Sequence, residues 1–170
     1  NFAMASGQYL NSTSNGLPLG NGPRTLCAWV KPDKLPSNSI ITAYGTGSPN
    51  AAFGITMTSA TQFKIWNWTA GDLAFTLPIS IQLNTWQHFC ATLDGANATA
   101  YYNGKSLGTQ VFGTTVSTTL GVFRVGANVD SGNTFPGKID DVRVYNNALS
   151  AIQVRQLATQ VPMGLMGRYD

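Results

Sequence analysis

Short stretches of alternating or β-branched residues recur along the chain, separated by clusters of Gly, Pro and Asn. Alternation with a period of two is typical of strands that bury one face, and the regular turn clusters are typical of an all-β sandwich. The clearest strands lie at residues 25–30, 39–44, 52–57, 62–67, 73–77, 87–93, 99–102, 105–109, 122–125 and 138–145. The pattern predicts an all-β domain with roughly a dozen strands.

One pair of predicted strands is joined by a strong turn signal. Asn103-Gly104 tolerates positive φ at both positions, which is typical of a type I′ turn. Residues 97–109 should therefore form a β-hairpin.

A single short segment, residues 150–159, has a helical pattern. Ser150 is a suitable N-cap, and Ile152 and Leu157, with Val154 as a third candidate, are predicted to face inward. The last residues, 161–170, fit no element and are interpreted as a tail or linker.

Composition indicates one weakly charged domain. The chain has 170 residues, of which 43% are hydrophobic and only 10% are charged, and its net charge is +3. The basic residues are scattered rather than clustered, which argues against nucleic-acid binding. No apolar run approaches the roughly 20 residues of a membrane span, so membrane insertion is not expected. Because the sequence begins at Asn1 rather than Met, we expect it to be a piece of a longer protein with other domains.

The acidic residues argue against catalysis. All seven are Asp, and the chain contains no Glu. Glycosidases normally need two carboxyl groups flanking the scissile bond. The adjacent Asp140 and Asp141 are expected to point to opposite faces of a strand, and His88 has no Ser or Cys partner in an elbow motif. We therefore expect no enzymatic activity.

Three sequence stretches carry a family resemblance: TLCAWVKPD (25–33), WQHFCATLDGANATAYYNGK (86–105) and GKIDDVRVYNNALS (137–150). They resemble laminin-G-like and pentraxin-type domains of the concanavalin A-like lectin/glucanase superfamily. The resemblance implies a jelly-roll β-sandwich of two antiparallel sheets over residues 1–160. Most members bind sugars or protein surfaces, and the Glu-x-Asp-x-x-Glu strand of the catalytic family-16 glucanases is missing here.

The two cysteines, Cys27 and Cys90, lie in predicted strands, and from their positions alone they are either two buried free thiols or a disulfide. Thr25-Leu26-Cys27 and His88-Phe89-Cys90 resemble the two strands that the pentraxin disulfide joins. That resemblance implies a Cys27–Cys90 disulfide and an oxidising compartment.

Two tryptophans are candidate sugar-binding residues. Alternation along Phe63–Trp68 places Lys64, Trp66 and Trp68 on one strand face, where the indoles could stack on sugar rings. The alternative is that both indoles fill a core or pack under a loop. Trp29 and Trp86 match positions that pack the core in laminin-G-like domains and are interpreted as structural.

Calcium is a candidate cofactor by the same resemblance. Asn128-Val129-Asp130 resembles a pentraxin ligand segment, although an amide replaces its first carboxylate. Asp140 matches an Asp that helps to hold a structural calcium in several jelly-roll relatives. The alternative is that these aspartates are solvated.

These observations predict a non-catalytic recognition domain on an extracellular, cell-surface or virion-surface protein. Its first-choice partner is a glycan, bound by Trp66 and Trp68 with hydrogen bonds from Lys64, Asn128 and Asp130. The alternative is a structural or adhesive domain, such as a phage decoration, fibre or surface-layer module, whose partner is a protein.

Overall fold

Two antiparallel sheets pack face to face in the computed structural model, which describes residues 8–68 and 71–160. The six-stranded sheet has the order β1-β10-β3-β4-β5-β6 and the five-stranded sheet the order β11-β2-β7-β8-β9. This architecture confirms the predicted jelly-roll sandwich with one short helix. The elements are β1 (Leu10–Thr13), β2 (Arg24–Pro32), β3 (Ser39–Gly45), β4 (Ala52–Ser59), β5 (Gln62–Trp66), β6 (Leu73–Thr76), β7 (Gln87–Asp94), β8 (Asn97–Tyr102), β9 (Lys105–Val111), β10 (Val122–Val125), β11 (Gly137–Tyr145) and α1 (Ala151–Thr159).

The main core lies between the sheets and is rich in aromatic rings. Phe63 of β5 and Phe89 of β7 are fully buried, and their ring centroids are 5.1 Å apart, so this contact joins the two sheets. Burying each such side chain contributes roughly 1.5–3 kcal/mol. The core positions alternate along the strands that line it, for example Leu26, Ala28 and Val30 of β2, as the sequence pattern predicts.

The predicted hairpin is confirmed, whereas β1 was not predicted. Asn103 and Gly104 have φ values of 47° and 75°, as a type I′ turn requires. All four residues of β1 are exposed, so this strand carries no hydrophobic alternation. It is held by pairing with β10 at the edge of the six-stranded sheet.

Helix α1 covers the outer face of the five-stranded sheet. Its start is confirmed at Ser150, whose side chain accepts a hydrogen bond from the Gln153 amide in a capping box. Val154 is fully buried in a second hydrophobic cluster, against which Leu157 packs. The inward orientation predicted for Ile152 is wrong, because the side chain lies on the solvent side of α1 and is 69% exposed.

The predicted disulfide lies beneath this helix. Cys27 of β2 and Cys90 of β7 are directly opposite each other in register, with their Cα atoms 4.0 Å apart, and they form a disulfide. Both are fully buried, and they share the second cluster with Tyr101 and Val154. The disulfide therefore ties β7, the central strand of the five-stranded sheet, to its neighbour β2.

The stability of the domain should depend on pH through His88, which is buried beside Trp29 with ring centroids 5.3 Å apart. Burial lowers the pKa of His88 to about 4. The unfolded chain binds this proton near pH 6.5, so the free energy of unfolding should fall by about 3 kcal/mol between pH 6.5 and 4.

Urea unfolding of the wild type and of His88→Gln at several pH values checks this expectation. The non-titrating variant should lack this loss, so the difference between the two proteins should shrink as the pH falls. Parallel pH profiles would show that His88 does not control the acid sensitivity.

Candidate functional site

The outer face of the six-stranded sheet holds most of the predicted ligand-binding residues. Strand register places Arg124, Ala43, Gly54 and Trp66 in one row across β10, β3, β4 and β5. Three strand spacings separate the ends of this row, which corresponds to roughly 14 Å between Cα atoms. Ala43 and Gly54 are small, so larger side-chain groups from neighbouring positions have room to lie over the middle of this row.

Trp66 is one such group. Its indole lies against Gly54, where the ring atom Cε3 would be 3.0 Å from an added β-carbon. The side chain is only 8% exposed and packs in a third hydrophobic cluster with Ile40, Ala43 and Val129. Trp66 therefore presents little free surface, in line with the alternative interpretation that it packs under a loop.

Trp68 lies just beyond the end of β5 and is partly exposed. Its ring meets that of Trp66 edge-on, with centroids 5.3 Å apart, and touches the loop at Gly47, where an added β-carbon would lie 3.2 Å from Cζ2. The backbone has φ of 69°, which is unusual for an aromatic residue and is a kind of strain that tends to occur at functional sites. The two indole planes meet at 71°, so they form an edge-to-face pair rather than one flat surface.

The segment 128–130 lies next to this pair. Val129 packs in the same hydrophobic cluster as Trp66 and Ala43, which brings the loop onto the outer face of the sheet. The side-chain oxygen of Asn128 accepts a hydrogen bond from the Val129 amide, and the residue is 6% exposed. Asp130 is exposed, and its carboxylate accepts a hydrogen bond from the Gly132 amide. Asn128 therefore shapes the loop, while Asp130 remains open to solvent.

Lys64 lies on the same strand face as Trp66, as predicted, and is partly exposed. Its ammonium is 4.0 Å from the carboxylate of Asp72. This carboxylate also accepts a hydrogen bond from the backbone N–H of Asn67. Lys64 thus flanks the tryptophans, but its charge has a partner.

Three further polar or aromatic residues of this face were not predicted: Tyr9, Asn11 and Arg124. The guanidinium of Arg124 lies over the Tyr9 ring, 5.3 Å from its centroid. Its Nε donates a hydrogen bond to the Asn11 side chain at 2.9 Å, and its Nη1 donates one to the Asn128 carbonyl at 2.8 Å. The only sequence signal for these three residues is that Arg124 is a basic residue within a short strand. That signal does not point to a particular function.

The predicted metal ligand, Asp140, lies on the opposite side of the domain. It is paired with Trp29, and its carboxylate accepts a hydrogen bond from the Asp141 amide. A bulge follows, so the expectation that Asp140 and Asp141 point to opposite faces is wrong. The Asp141 carboxylate instead accepts a hydrogen bond from Arg143. Arg143 pairs with Cys27, which lies on the outer face of the five-stranded sheet. The hydrogen bond from Arg143 to Asp141 raises the pKa of Arg143.

The described residues do not confirm a calcium site. Among residues 8–68 and 71–160, no group of three or more His, Cys, Asp or Glu side chains could hold a metal ion. Asp140 and Asp130 are on different faces and cannot share one ion, and Ca²⁺ takes six to eight oxygen ligands. Calcium at Asp140 stays a prediction.

No helix in the described part of the chain is long and apolar enough to cross a membrane.

The two-sheet fold defines a lectin-like sandwich, and comparison with known proteins gives its family. Residues 5–155 match a laminin-G-type model of the concanavalin A-like lectin/glucanases superfamily, so the chain belongs to this family. No curated protein sequence matches it.

Several solved structures share the fold. A heptameric SAP-like pentraxin from Limulus polyphemus has a TM-score of 0.68 at 22% identity, covering 88% of this chain and 75% of the pentraxin. Domain 4 of the extracellular arabinanase AbnA from Geobacillus stearothermophilus, solved with arabinotriose, has a TM-score of 0.66 at 23% identity, covering 84% and 69%. The CBM40 of a Ruminococcus gnavus sialidase, bound to sialyllactose, has a TM-score of 0.68 at 14% identity, covering 92% and 97%.

Proposed function

We propose that this domain is a non-catalytic module that binds carbohydrate on the outer face of its six-stranded sheet. The observation that carries the proposal is the placement of Trp68, whose partly exposed indole is held between Trp66 and the backbone at Gly47. A fixed indole covers the apolar side of a sugar ring at a low cost in conformational entropy.

The predicted residues take different roles in this proposal. Trp68 stacks on the sugar, and the largely buried Trp66 sets its orientation. Lys64 and Asp130 supply hydrogen bonds from either side, while Asn128 acts through the shape of its loop. None of these contacts requires a metal ion.

Two further observations support this function. The arabinanase domain and the CBM40 were solved with bound sugars, and both have the same fold. The Cys27–Cys90 disulfide is typical of an oxidising environment, which favours an extracellular or surface-exposed domain of a longer protein. The competing function is a structural or adhesive module that binds a protein.

A glycan array with the wild type and Trp68→Ala tests the proposal. We expect wild-type binding to at least one glycan and a loss of at least about ten-fold in affinity in the variant. Trp86→Ala is the matched control, because it removes a partly exposed indole directly before β7 of the five-stranded sheet and should keep binding.

Repeating the array with a chelator tests separately whether glycan binding depends on calcium. Unchanged binding would show that the sugar site works without calcium. No binding to any glycan by the folded wild type would contradict the proposal and favour the protein-binding alternative.

A further inference from the structure

Arg124 is held in one orientation on the candidate face. The Tyr9 ring supports one side of its guanidinium, Asn11 fixes Nε, and the Asn128 carbonyl fixes Nη1. An arginine side chain normally loses considerable rotamer freedom when it binds a ligand. Here the three contacts remove that freedom in advance, so Arg124 is preorganised for binding.

The guanidinium also keeps donors for a ligand. Of its five N–H groups, the hydrogen bonds within the described residues use one on Nε and one on Nη1, so both N–H groups of Nη2 remain. The ion pairs among those residues involve Lys64 and Arg143, and none of the described carboxylates lies within 4.0 Å of the Arg124 guanidinium. The neighbouring Asp130 instead accepts a hydrogen bond from Gly132.

The neighbours of Arg124 suit a sugar. Tyr9 is 38% exposed and offers a ring face or edge, and the exposed Asn11 offers an amide. Arg124 lies in the same cross-strand row as Trp66, roughly 14 Å away between Cα atoms, with the 128–130 loop between them. A ligand that reaches both Trp68 and Arg124 is therefore longer than one sugar ring.

We infer that this ligand is an acidic oligosaccharide whose carboxylate binds Arg124, while another of its rings stacks on Trp68. A planar guanidinium matches a carboxylate, and a charged hydrogen bond of this kind is stronger than a neutral one. The sugar acids with this chemistry are uronic acids and sialic acids. The inference rests on the proposed carbohydrate-binding function and adds the charge of the ligand.

Isothermal titration calorimetry with pairs of acidic and neutral sugars tests this inference. Trigalacturonate and its methyl ester share one sugar chain and differ by the carboxylate charge and the ester methyl groups, and sialyllactose and lactose differ by the sialic acid. We expect one acidic sugar to bind at least about ten-fold more tightly than its neutral partner, and Arg124→Gln to remove this preference. Arg124→Lys should restore it only in part, because lysine keeps the charge without the planar fork. Which acidic sugar binds distinguishes the uronic from the sialic class.

Arg155→Gln is the control, since it makes the same change in net charge on α1, over the opposite sheet, and should keep the preference. Equal binding of acidic and neutral sugars would overturn the inference and leave the proposed function intact. Parallel loss of acidic and neutral binding in folded Arg124→Gln would also overturn it, because Arg124 would then only hold the loop. No binding of any of these four sugars would overturn the inference, whereas the glycan array decides the proposed function.

Discussion

Replacing Arg24 with methionine is expected to lower the free energy of unfolding by about 3–5 kcal/mol. Arg24 is fully buried at the start of β2, and among the described residues its charge has no carboxylate partner. Peptide carbonyls and side-chain hydroxyls surround the guanidinium in place of a carboxylate. The guanidinium donates hydrogen bonds to the carbonyls of Pro18, Leu19, Gly20 and Gly22, to the Tyr44 hydroxyl and to the Thr118 hydroxyl.

Methionine fills much of the space of the arginine stem but leaves these acceptors without a donor. The cost arises because buried polar groups lose their partners and the chain around residues 18–22 loses its attachment to the core. Burial raises the pKa of Tyr44, and the charge of Arg24 and its hydrogen bond act against this rise. In Arg24→Met the buried Tyr44 hydroxyl therefore also loses the hydrogen bond that Arg24 donates.

Urea unfolding measures the effect, and Arg155→Met is the control because Arg155 is exposed on α1. The control should change stability by no more than about 0.5 kcal/mol. Hydrogen exchange in residues 18–22 should accelerate in Arg24→Met. A loss of stability no larger than that of the control would contradict the role assigned to Arg24.

Removing the disulfide with Cys27→Ala/Cys90→Ala is expected to cost about 4 kcal/mol of stability. The cysteines are 63 positions apart, so the disulfide closes a long loop and restricts the unfolded chain. The alanines also leave a small void beneath α1, because both sulfur atoms are buried beside Tyr101 and Val154.

Comparing oxidised wild type, reduced wild type and the double variant separates the two contributions. Reduction breaks the cross-link but retains both sulfur atoms, so reduced protein should lie between the other two and close to the variant. Equal unfolding midpoints for oxidised and reduced wild type would show that the disulfide adds no stability.

Most of the fold could be predicted because hydrophobic alternation marks every strand that buries a face. The exception, β1, is fully exposed and forms through backbone pairing alone, which leaves no periodic signal. The helix was predicted from Ser150, but the inward side of α1 depends on how it crosses the sheet, so the orientation of Ile152 was wrong.

The candidate site was predictable only in part. Alternation placed Lys64 and Trp66 on one face, but it could not show that Val129 would join Trp66 in one buried cluster. Arg124 and Tyr9 are 115 positions apart and meet only through the pairing of β1 with β10. A bulge, which shifts alternation by one residue, likewise hid the orientation of Asp141.

The position of β1 has a practical consequence for binding experiments. Because Asn11 in β1 touches Arg124, a tag or fusion partner joined upstream of β1 is connected through a strand that takes part in the candidate binding face. Helix α1 instead covers the other sheet. An attachment that follows α1 is therefore connected through an element that takes no part in the candidate face.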